Sequence, residues 1–581
     1  MTESVQTLIY RRLDEEPEGR ALAWYTPAGT FSWTSFQDLI GRAEAAAQRL
    51  AAEGLRAGDV CILVLPSDEA AATQVLAVLL LGAVPLLVAP PLLQGVHSIL
   101  LDTLRHTVRR TRARVVVMED SMAAIAAQLP LKRGTRYVFG DLAAPSNGAA
   151  LSRVAPAAID VVAMQLTSGT TGRPRICVWN QRGVLAGLEG MRAIMQLTPD
   201  DICFNWTPLY HDMGLVNNLL LCLTHRVPLV MASPFEFVKR PALWLRGLAA
   251  TGSTLTWSPN FGFALAAQRV RDEEMTSVRL DRVRAFWNAA ERIHLETMEA
   301  FYRRFAPLGL RYDALKTNFG CAENVGGATF SPADGVFRVD VVNRHLLRRR
   351  RIARVGGPVD GGDQNVAIVG VGRPYPGMRI EIHSRGAKRL PDGHVGEIAL
   401  QTPSQMVGYL GDRAETRRAL RGGFLRTGDL GYLRGEELFW VGRVKERITV
   451  RGRKYDPSDF ERVLLRIPGL RQGSFAAFGV DDAARGTRQV VIVAEVRDPP
   501  GRPTKEIVGE ISREIFLHLG LTADEVLLVR PGTLTKTSSG KRRHRYFRQL
   551  YLDGQLEAFV FDQRGGDGNV EESTSPDQGG T

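Results

Sequence analysis

The stretch that decides the fold is Val161 to Arg175, VVAMQLTSGTTGRPR. Its first half is an apolar run of strand length, and its second half crowds hydroxyls and glycines into a loop with few bulky side chains. Thr167, Ser168, Thr170 and Thr171 can donate hydroxyl hydrogen bonds, Gly169 and Gly172 let backbone N–H groups approach a ligand, and Arg175 adds a fixed positive charge. That is the composition of a phosphate cradle. It is equally the composition of a solvated loop, because Ser, Thr and Gly gather in turns. The spacing is not G-x-x-x-x-G-K-[ST], so the P-loop pattern is excluded.

The segments around this stretch decide between the two readings. Upstream, a strand at Asp59 to Pro66, a helix at Ser67 to Leu81 and a strand at Val84 to Val88 form a βαβ unit, which implies parallel sheet. A further strand at Arg114 to Met118, and the run before the loop, continue the pattern. The fold class is therefore α/β, with ligands expected at the carboxyl ends of the strands, where the loop after Leu166 lies. Nearer the N-terminus an Ala-rich amphipathic helix is expected from about Trp33 to Glu53.

At 581 residues the chain is too long for one core, and a large N-terminal region with a smaller one after it is the expectation. The longest apolar stretch, Val75 to Leu93, is interrupted by Gly82, Pro85, Pro90 and Pro91, so no membrane insertion is expected. The first twenty residues lack the basic start and apolar middle of a signal peptide, and a cytoplasmic location is expected. Five scattered cysteines without C-x-x-C spacing argue against a disulfide framework and a zinc site. The net charge of +12 favours polyanionic ligands such as ATP, or an acidic protein partner. The arginine run Arg348 to Arg351 invites a nucleic-acid reading, but no helix-turn-helix, RNA-binding or zinc-finger signature accompanies it.

Downstream of the loop, WTPLYHDMGL places Tyr210, His211 and Asp212 between an apolar strand and a helix starting near Met213. A His beside an Asp can be a general base, a metal ligand or an orienting partner, and a helix-capping Asp beside a packing His is as good a reading. FWNAAE (Phe286 to Glu291) and TNFGCAEN (Thr317 to Asn324) each end an apolar strand in small residues followed by a Glu. Small residues let a flat ring lie against backbone, and Glu323 could hold Mg2+. RTGDLGYL sets Asp429 in a Gly-flanked turn, where a short carboxylate suits both hydroxyls of a ribose. Arg443 closes a later strand, Lys445 and Glu446 precede the next, and Lys541 follows a Ser-Ser-Gly turn from which a lysine can reach another domain's site.

With these segments in this order, the chain resembles the acyl-adenylating enzyme superfamily, which includes acyl-CoA synthetases, nonribosomal peptide adenylation domains, luciferases and fatty acyl-AMP ligases. The resemblance runs from about Thr7 to Leu556. PLYHDMGL, SPFEFVKRPALWL, GRPYPGMRIEI and TSSGKRRHRYFRQLYLDGQL are most similar to the fatty acyl-AMP ligase branch. The resemblance implies a large N-terminal domain of stacked α/β sheets over residues 1–444, a hinge at Lys445 and Glu446, and a small mobile α+β domain over 447–560. It also implies an insertion that disfavours coenzyme A, for which the poorly patterned stretch Ser331 to Asn365 is the candidate. The Gly-, Asp-, Glu- and Ser-rich tail, 561–581, has nothing to bury and is expected to be disordered.

The implied reaction joins a carboxylic acid to AMP with loss of pyrophosphate and then passes the acyl group to the phosphopantetheine of an acyl carrier protein, in lipid or natural-product biosynthesis. By motif matching, Thr167 to Gly172 and Arg175 hold the β- and γ-phosphates, and Glu323 binds Mg2+. Asp429 grips the ribose, and Arg443 contacts ribose or phosphate. Asn288, Ala289, Ala290 and Glu291 with Asn318, Phe319 and Gly320 enclose the adenine. Lys541 bridges the substrate carboxylate and α-phosphate oxygens, and His211 guards the acyl side or thiol approach.

The chain departs from the family pattern at Arg175, where lysine is usual, and at Ile176, where glycine is. Arg keeps the charge and adds a fork suited to phosphate. In the acyl-pocket neighbourhood Trp257 replaces a small residue, and Thr207, Asn217, Asn218 and Asn324, with Cys321 beside them, are more polar than a fatty chain requires. Unpaired amides beside hydrocarbon cost about 1 to 3 kcal/mol each, so a short, polar or functionalised acid is expected unless these asparagines satisfy backbone groups elsewhere. The nearest rival function is an acid:CoA ligase, and a rival of another class is a non-catalytic nucleotide- or acyl-binding protein.

Overall fold

The Val161–Leu166 run forms a strand that pairs in parallel with Val84–Leu87 and antiparallel with Ile176–Asn180, so the decisive loop joins the two strands of a hairpin at a sheet edge of the βαβ unit. The computed structural model describes residues 3–90, 97–129, 134–140, 151–157, 159–167, 174–356, 364–444, 446, 448–450, 453–465, 467–482, 487–497, 501–536, 542–556 and 560–563. The expected phosphate-loop residues Ser168, Gly169, Thr170, Thr171 and Gly172, together with Lys445 and Lys541, lie outside them.

The chain divides into two units, Met1–Lys445 with Lys536–Lys541, and Glu446–Thr535 with Arg542–Thr581. Among the described residues the large unit holds a seven-stranded and a nine-stranded sheet. The seven-stranded sheet runs Gly408–Tyr409, Ile176–Asn180, Val161–Leu166, Val84–Leu87, Val60–Val64, Val115–Met118, Arg136–Phe139, and is parallel from Val161–Leu166 onward. Its βαβ helix spans Glu69–Leu80, shorter than the periodicity suggests, because the Asp68 side chain accepts from the Ala71 amide and fixes the first turn. Its central strands Val60–Val64, Val84–Leu87 and Val115–Met118 are buried throughout and consist mostly of Val, Ile and Leu, as parallel strands covered on both faces require.

The nine-stranded sheet carries Leu255–Pro259, Ala285–Ala289 and Leu315–Cys321 side by side in parallel. At its far edge Trp33–Ser35 is a strand against Arg20–Trp24, not the start of a helix. The helix begins at Phe36, since Ser35 is its N-cap and accepts from the Asp38 amide at 3.0 Å. A third sheet contains Gly396–Gln401, Phe424–Arg434 and Glu437–Arg443, all antiparallel. Asp429 lies within the Phe424–Arg434 strand, opposite Arg443, rather than in a turn; the local bend comes from Gly428, whose φ is +75°.

Among the described residues, the stretch from Ser331 to Asn365, which shows no pattern in sequence, carries regular secondary structure. Val339–Asn343 pairs antiparallel with Asn365–Val369, and Arg344–Arg350 is a helix. Val342, Val366 and Ile368 pack with Leu430, Tyr432 and Phe439 in a separate small core. Asp340 anchors it, accepting from Tyr432 Oη at 2.9 Å and from both Nε and Nη2 of Arg434. The pattern escapes a sequence reading because the apolar residues of two short strands are interrupted by the arginine-rich helix.

In the small unit Leu470–Asp482, Thr487–Val496, Glu525–Val529 and Val560–Gln563 form a four-stranded sheet accompanied by the helices Pro457–Leu464, Thr504–Leu519 and His544–Leu552. Residues 561–563 belong to a strand, because they complete the edge beside Glu525–Val529, and the disordered tail expected from 561 does not begin there. Residues 564–581 lie outside those described. Among the described residues, no helix is long and apolar enough to cross a membrane.

Candidate active site

Residues from three sheets line one cavity of about 330 Å3 in the large unit. Thr167 and Arg175 enter it from the decisive hairpin, where the Thr167 amide donates to the Arg175 carbonyl at 2.8 Å and closes the loop at its base. Ala289 and Ala290 come from the end of one central strand, and Asn318, Gly320 and Cys321 from the next. Ala290 adopts a φ of +70°, uncommon for a side-chain-bearing residue, so the chain turns sharply as it leaves the sheet. Glu323, in the short helical turn Ala322–Asn324, and Asp429 with Arg443 complete the wall.

Two ionic arrangements organise the cavity. Asp429, buried, accepts at Oδ1 from Arg443 Nε at 3.0 Å and from Trp440 Nε1 at 3.1 Å. Glu323 Oε1 accepts from the Tyr409 hydroxyl at 2.7 Å. Burial first, and then the Glu323 charge, pushes the Tyr409 phenol far above its ordinary value, so it stays a donor. The Arg175 guanidinium lies over the Tyr409 ring, 4.5 Å from its centroid, and its Nη1 reaches Glu415 Oε2 at 3.1 Å. Glu415 also pairs with Arg418, and Arg426 with Glu397, whose Oε1 accepts the Gly428 amide at 3.1 Å. Sequence reasoning missed Tyr409, Glu415 and Glu397; the only signal was GYLGDRAET, a Gly-Tyr pair ahead of a capped helix.

His211 lines the cavity too. Its Nδ1 is 2.7 Å from Asp212 Oδ1, and the Met213 amide donates toward both, at 3.1 and 2.9 Å. His211 is thus the N-cap of the helix that starts at Asp212. Gly214 is required there, since a Cβ would stand 2.2 Å from the Pro208 carbonyl oxygen. The helix then widens to a π-helical segment, Leu215–Leu220, which carries Asn217 and Asn218.

Several expected contacts fall elsewhere. Asn288 is fully buried and donates to Asn260 Oδ1 at 3.1 Å, Glu291 accepts the Phe261 amide at 2.6 Å, and Phe319 is packed in the core. None of the three is among the residues lining the cavity. Of the polar acyl-side set only Asn217 and Cys321 line it. Thr207 Oγ1 donates to Asn205 Oδ1, Asn218 Nδ2 donates to the Met213 carbonyl at 2.7 Å, and Asn324 Nδ2 donates to the Gly327 carbonyl at 3.1 Å. These amides satisfy backbone, which is what irregular segments beside a sheet end demand. Trp257 is buried and is not among the residues lining the cavity.

The donor set fits magnesium-bound ATP. Asn318 Oδ1 is buried without a hydrogen-bond partner among the described residues, an acceptor suited to the amino group of adenine. Among the described residues no group of three or more His, Cys, Asp or Glu side chains could hold a metal. A lone Glu323 matches Mg2+, which is held through one or two carboxylates together with substrate phosphates.

A model of the family described as AMP-binding enzyme matches residues 9–410. A medium-chain-fatty-acid–[acyl-carrier-protein] ligase, JamA of Moorena producens, is 31% identical over 407 residues, 68% of either chain. The long-chain-fatty-acid–AMP ligase FadD26 of Mycobacterium bovis is 28% identical over 93% of this chain and 96% of its own. A solved chain from studies of fatty acyl-adenylate ligases of E. coli and L. pneumophila superposes with a TM-score of 0.86 at 25% identity, covering 95% of this chain and 98% of that one.

Proposed function

The chain belongs to the AMP-binding enzyme family, and from that premise we propose that it activates a carboxylic acid with ATP and hands the acyl group to the phosphopantetheine thiol of an acyl carrier protein. The observation that carries this reading is one cavity lined by Arg175, Glu323 and the Asp429–Arg443 pair, which supplies cations for phosphate, a carboxylate for Mg2+ and a carboxylate for ribose hydroxyls.

In the first step a carboxylate oxygen attacks the α-phosphorus, and the bond to the bridging oxygen breaks. Pyrophosphate leaves with the developing negative charge, which needs positive groups already in place. Thr167, the loop 168–172 and Arg175 hold the leaving phosphates. Glu323 would hold Mg2+, which would neutralise phosphate charge as pyrophosphate leaves. Asp429 accepts the ribose hydroxyls while Arg443 keeps its orientation, and Ala289, Ala290 and Asn318 take the adenine. Lys541, a compact charge on a long stem, contacts the carboxylate and α-phosphate oxygens.

In the second step the thiol attacks the acyl carbon and AMP departs, with His211 on the acyl side. Lys445 and Glu446 serve as the hinge about which 447–560 moves between steps, a role supported by the unit boundary at that dipeptide. The segment 331–365 is the insertion that turns the acceptor away from coenzyme A. The test is ATP–pyrophosphate exchange over a panel of acids, followed by transfer assays with coenzyme A and a holo carrier protein side by side. Transfer to the carrier alone is expected; efficient thioester formation with coenzyme A makes the protein an acid:CoA ligase.

A further inference from the structure

The arginine run that ends at Arg351 meets a second set of cations in the folded chain. Arg349 and Arg350 are exposed at the end of the helix Arg344–Arg350, and Arg351 follows as its left-handed C-cap, with a φ of +58°. The chain then runs on to the exposed Arg354, with Ile352 bridged to His394 and the Val395 amide donating to the Arg351 carbonyl at 2.8 Å. Val395 leads into the strand Gly396–Gln401, whose neighbour Arg379–His383 sets His383 opposite Glu397. The turn after His383 carries Arg385, Lys388 and Arg389, all exposed. Two separate segments thus bring their cations to one end of one strand pair. They are near enough to act on each other: burial first, and then the Arg385 charge, lowers the pKa of Arg351.

Local carboxylates do not neutralise this cluster. Asp340 is taken by Tyr432 and Arg434, Asp392 accepts the Gly435 amide at 2.6 Å, and Glu381 pairs with His383 and Arg379. Among the described residues, Arg349, Arg350, Arg354, Arg385, Lys388 and Arg389 have no ion pair. Like charges that the fold gathers without counter-charges make a surface that an anionic partner completes. The same stretch leaves Val336, Val339 and Val355 exposed. Apolar side chains beside arginines suit a protein interface. Single-stranded nucleic acid would need exposed rings for its bases, and the one Phe, Tyr or Trp of residues 331–356, Phe337, is buried. The cluster also adjoins the cavity, because Glu397, two residues after Val395, lines it.

We propose that Arg349, Arg350, Arg354 and Arg385 form the docking surface for an acidic protein face, that of the carrier which accepts the acyl group. This rests on the acyl-transfer reading above, and it gives the segment 331–365 a recruiting role besides turning coenzyme A away. Charges of this kind steer encounter and leave the chemistry to the cavity.

The test compares the wild type with Arg349→Glu/Arg350→Glu, with Arg385→Glu, and with a control of equal charge change, Arg269→Glu/Arg303→Glu, whose arginines are exposed on other helices. Each protein is assayed for ATP–pyrophosphate exchange, and for acyl transfer to free pantetheine and to a panel of holo carrier proteins of net negative charge. Exchange and transfer to pantetheine should stay within about twofold of the wild type in every variant. The KM for the carrier should rise about tenfold in the double cluster variant and severalfold in Arg385→Glu, and should not move in the control. Added salt should slow wild-type transfer to the carrier and barely change that of the double cluster variant. A carrier KM unmoved by both cluster variants, an equal rise in the control, or a single-stranded oligonucleotide bound more tightly than the carrier at about 0.15 M salt overturns the proposal and leaves the acyl-transfer reading standing. Transfer to pantetheine but to no carrier of the panel overturns the carrier reading and the docking surface with it.

Discussion

The Tyr409 hydroxyl donates to Glu323 Oε1 at 2.7 Å, and the same ring carries the Arg175 guanidinium on its face. The two contacts are separable. Tyr409→Phe removes only the hydrogen bond to the proposed metal carboxylate, a bond to a charged group and therefore worth about 1.5 to 3 kcal/mol. The expected outcome is a roughly tenfold or greater rise in the Mg2+ concentration needed for half-maximal pyrophosphate exchange, with the thermal midpoint lowered by only a few degrees. Unaltered Mg2+ dependence would show that Glu323 needs no orientation from this phenol.

The buried Asp429 carboxylate has two indole and guanidinium donors on one oxygen. Asp429→Ala removes one partner of the Arg443 guanidinium, whose side chain keeps 30% exposure and can recruit water. The expected loss of stability is about 1 to 3 kcal/mol, below the figure for a fully buried pair. Nucleotide binding is affected more: the KM for ATP should rise at least tenfold while the KM for the acid stays put. Equal changes in both would mean that Asp429 shapes the whole cavity rather than the ribose end.

What the sequence made legible was the part governed by local pattern. Alternation and apolar runs revealed the βαβ unit from Val60 to Leu87 and the strand before Thr167, and small residues before a Glu marked the ends at Ala289 and Cys321. Register is not local. Asp429 sits in a strand because it pairs with Arg443, and the Gly428 bend reads in sequence as a turn. Asn218 and Asn324 are polar for the sake of carbonyls at Met213 and Gly327, partners that only the folded chain brings near. Tyr409 joins the site through a two-residue strand added to the hairpin by Ile176–Asn180, and no periodicity announces a strand that short.

Asp201 ties the carboxyl-terminal end of one helix to the central sheet, and its titration gives a stability prediction. Burial alone would raise its carboxyl, but hydrogen bonds from Arg284, Thr254 and the Thr198 amide outweigh that and hold it below its ordinary 3.8. A folded value below the unfolded one means stability that is present above pH 3.8 and is lost as pH falls through the depressed folded value. Asp201→Asn should therefore lower stability by about 2 to 3 kcal/mol at pH 7. In urea titrations the gap between the two proteins should narrow below pH 3.8. A gap independent of pH would assign the effect to geometry instead of charge.

In the small unit the buried Glu461 accepts from Arg542 Nη1 at 2.5 Å, and its other oxygen is 3.1 Å from His544 Nε2. The Ala477 amide donates to His544 Nδ1, which leaves Nε2 as the protonated nitrogen facing Glu461. Arg542 follows Lys541 directly in the chain, so this cluster fixes the residue next to the lysine. Glu461→Gln should destabilise the small unit by about 2 to 4 kcal/mol. All eight tryptophans precede residue 446. Amide exchange over 457–496 should therefore quicken while the tryptophan fluorescence transition stays in place, and a shift of the fluorescence midpoint would refute a local anchor.

Arg175 offers the sharpest test of how the phosphate side is held, because lysine keeps its charge and loses its shape. Lysine cannot reproduce a planar guanidinium lying on a ring while its fork reaches Glu415. Arg175→Lys should raise the KM for ATP about five- to thirtyfold, in line with a cation–π contact of about 1 to 2 kcal/mol at a partly buried site. The second substitution decides the cause. Tyr409→Phe preserves the ring under Arg175, so combining it with Arg175→Lys should give additive effects on the KM for ATP. Tyr409→Ala removes the ring, so the same combination should fall short of the sum, since the stacking energy cannot be lost twice. Additivity in both combinations would mean that Tyr409 acts only through Glu323 and that the stack does not position Arg175.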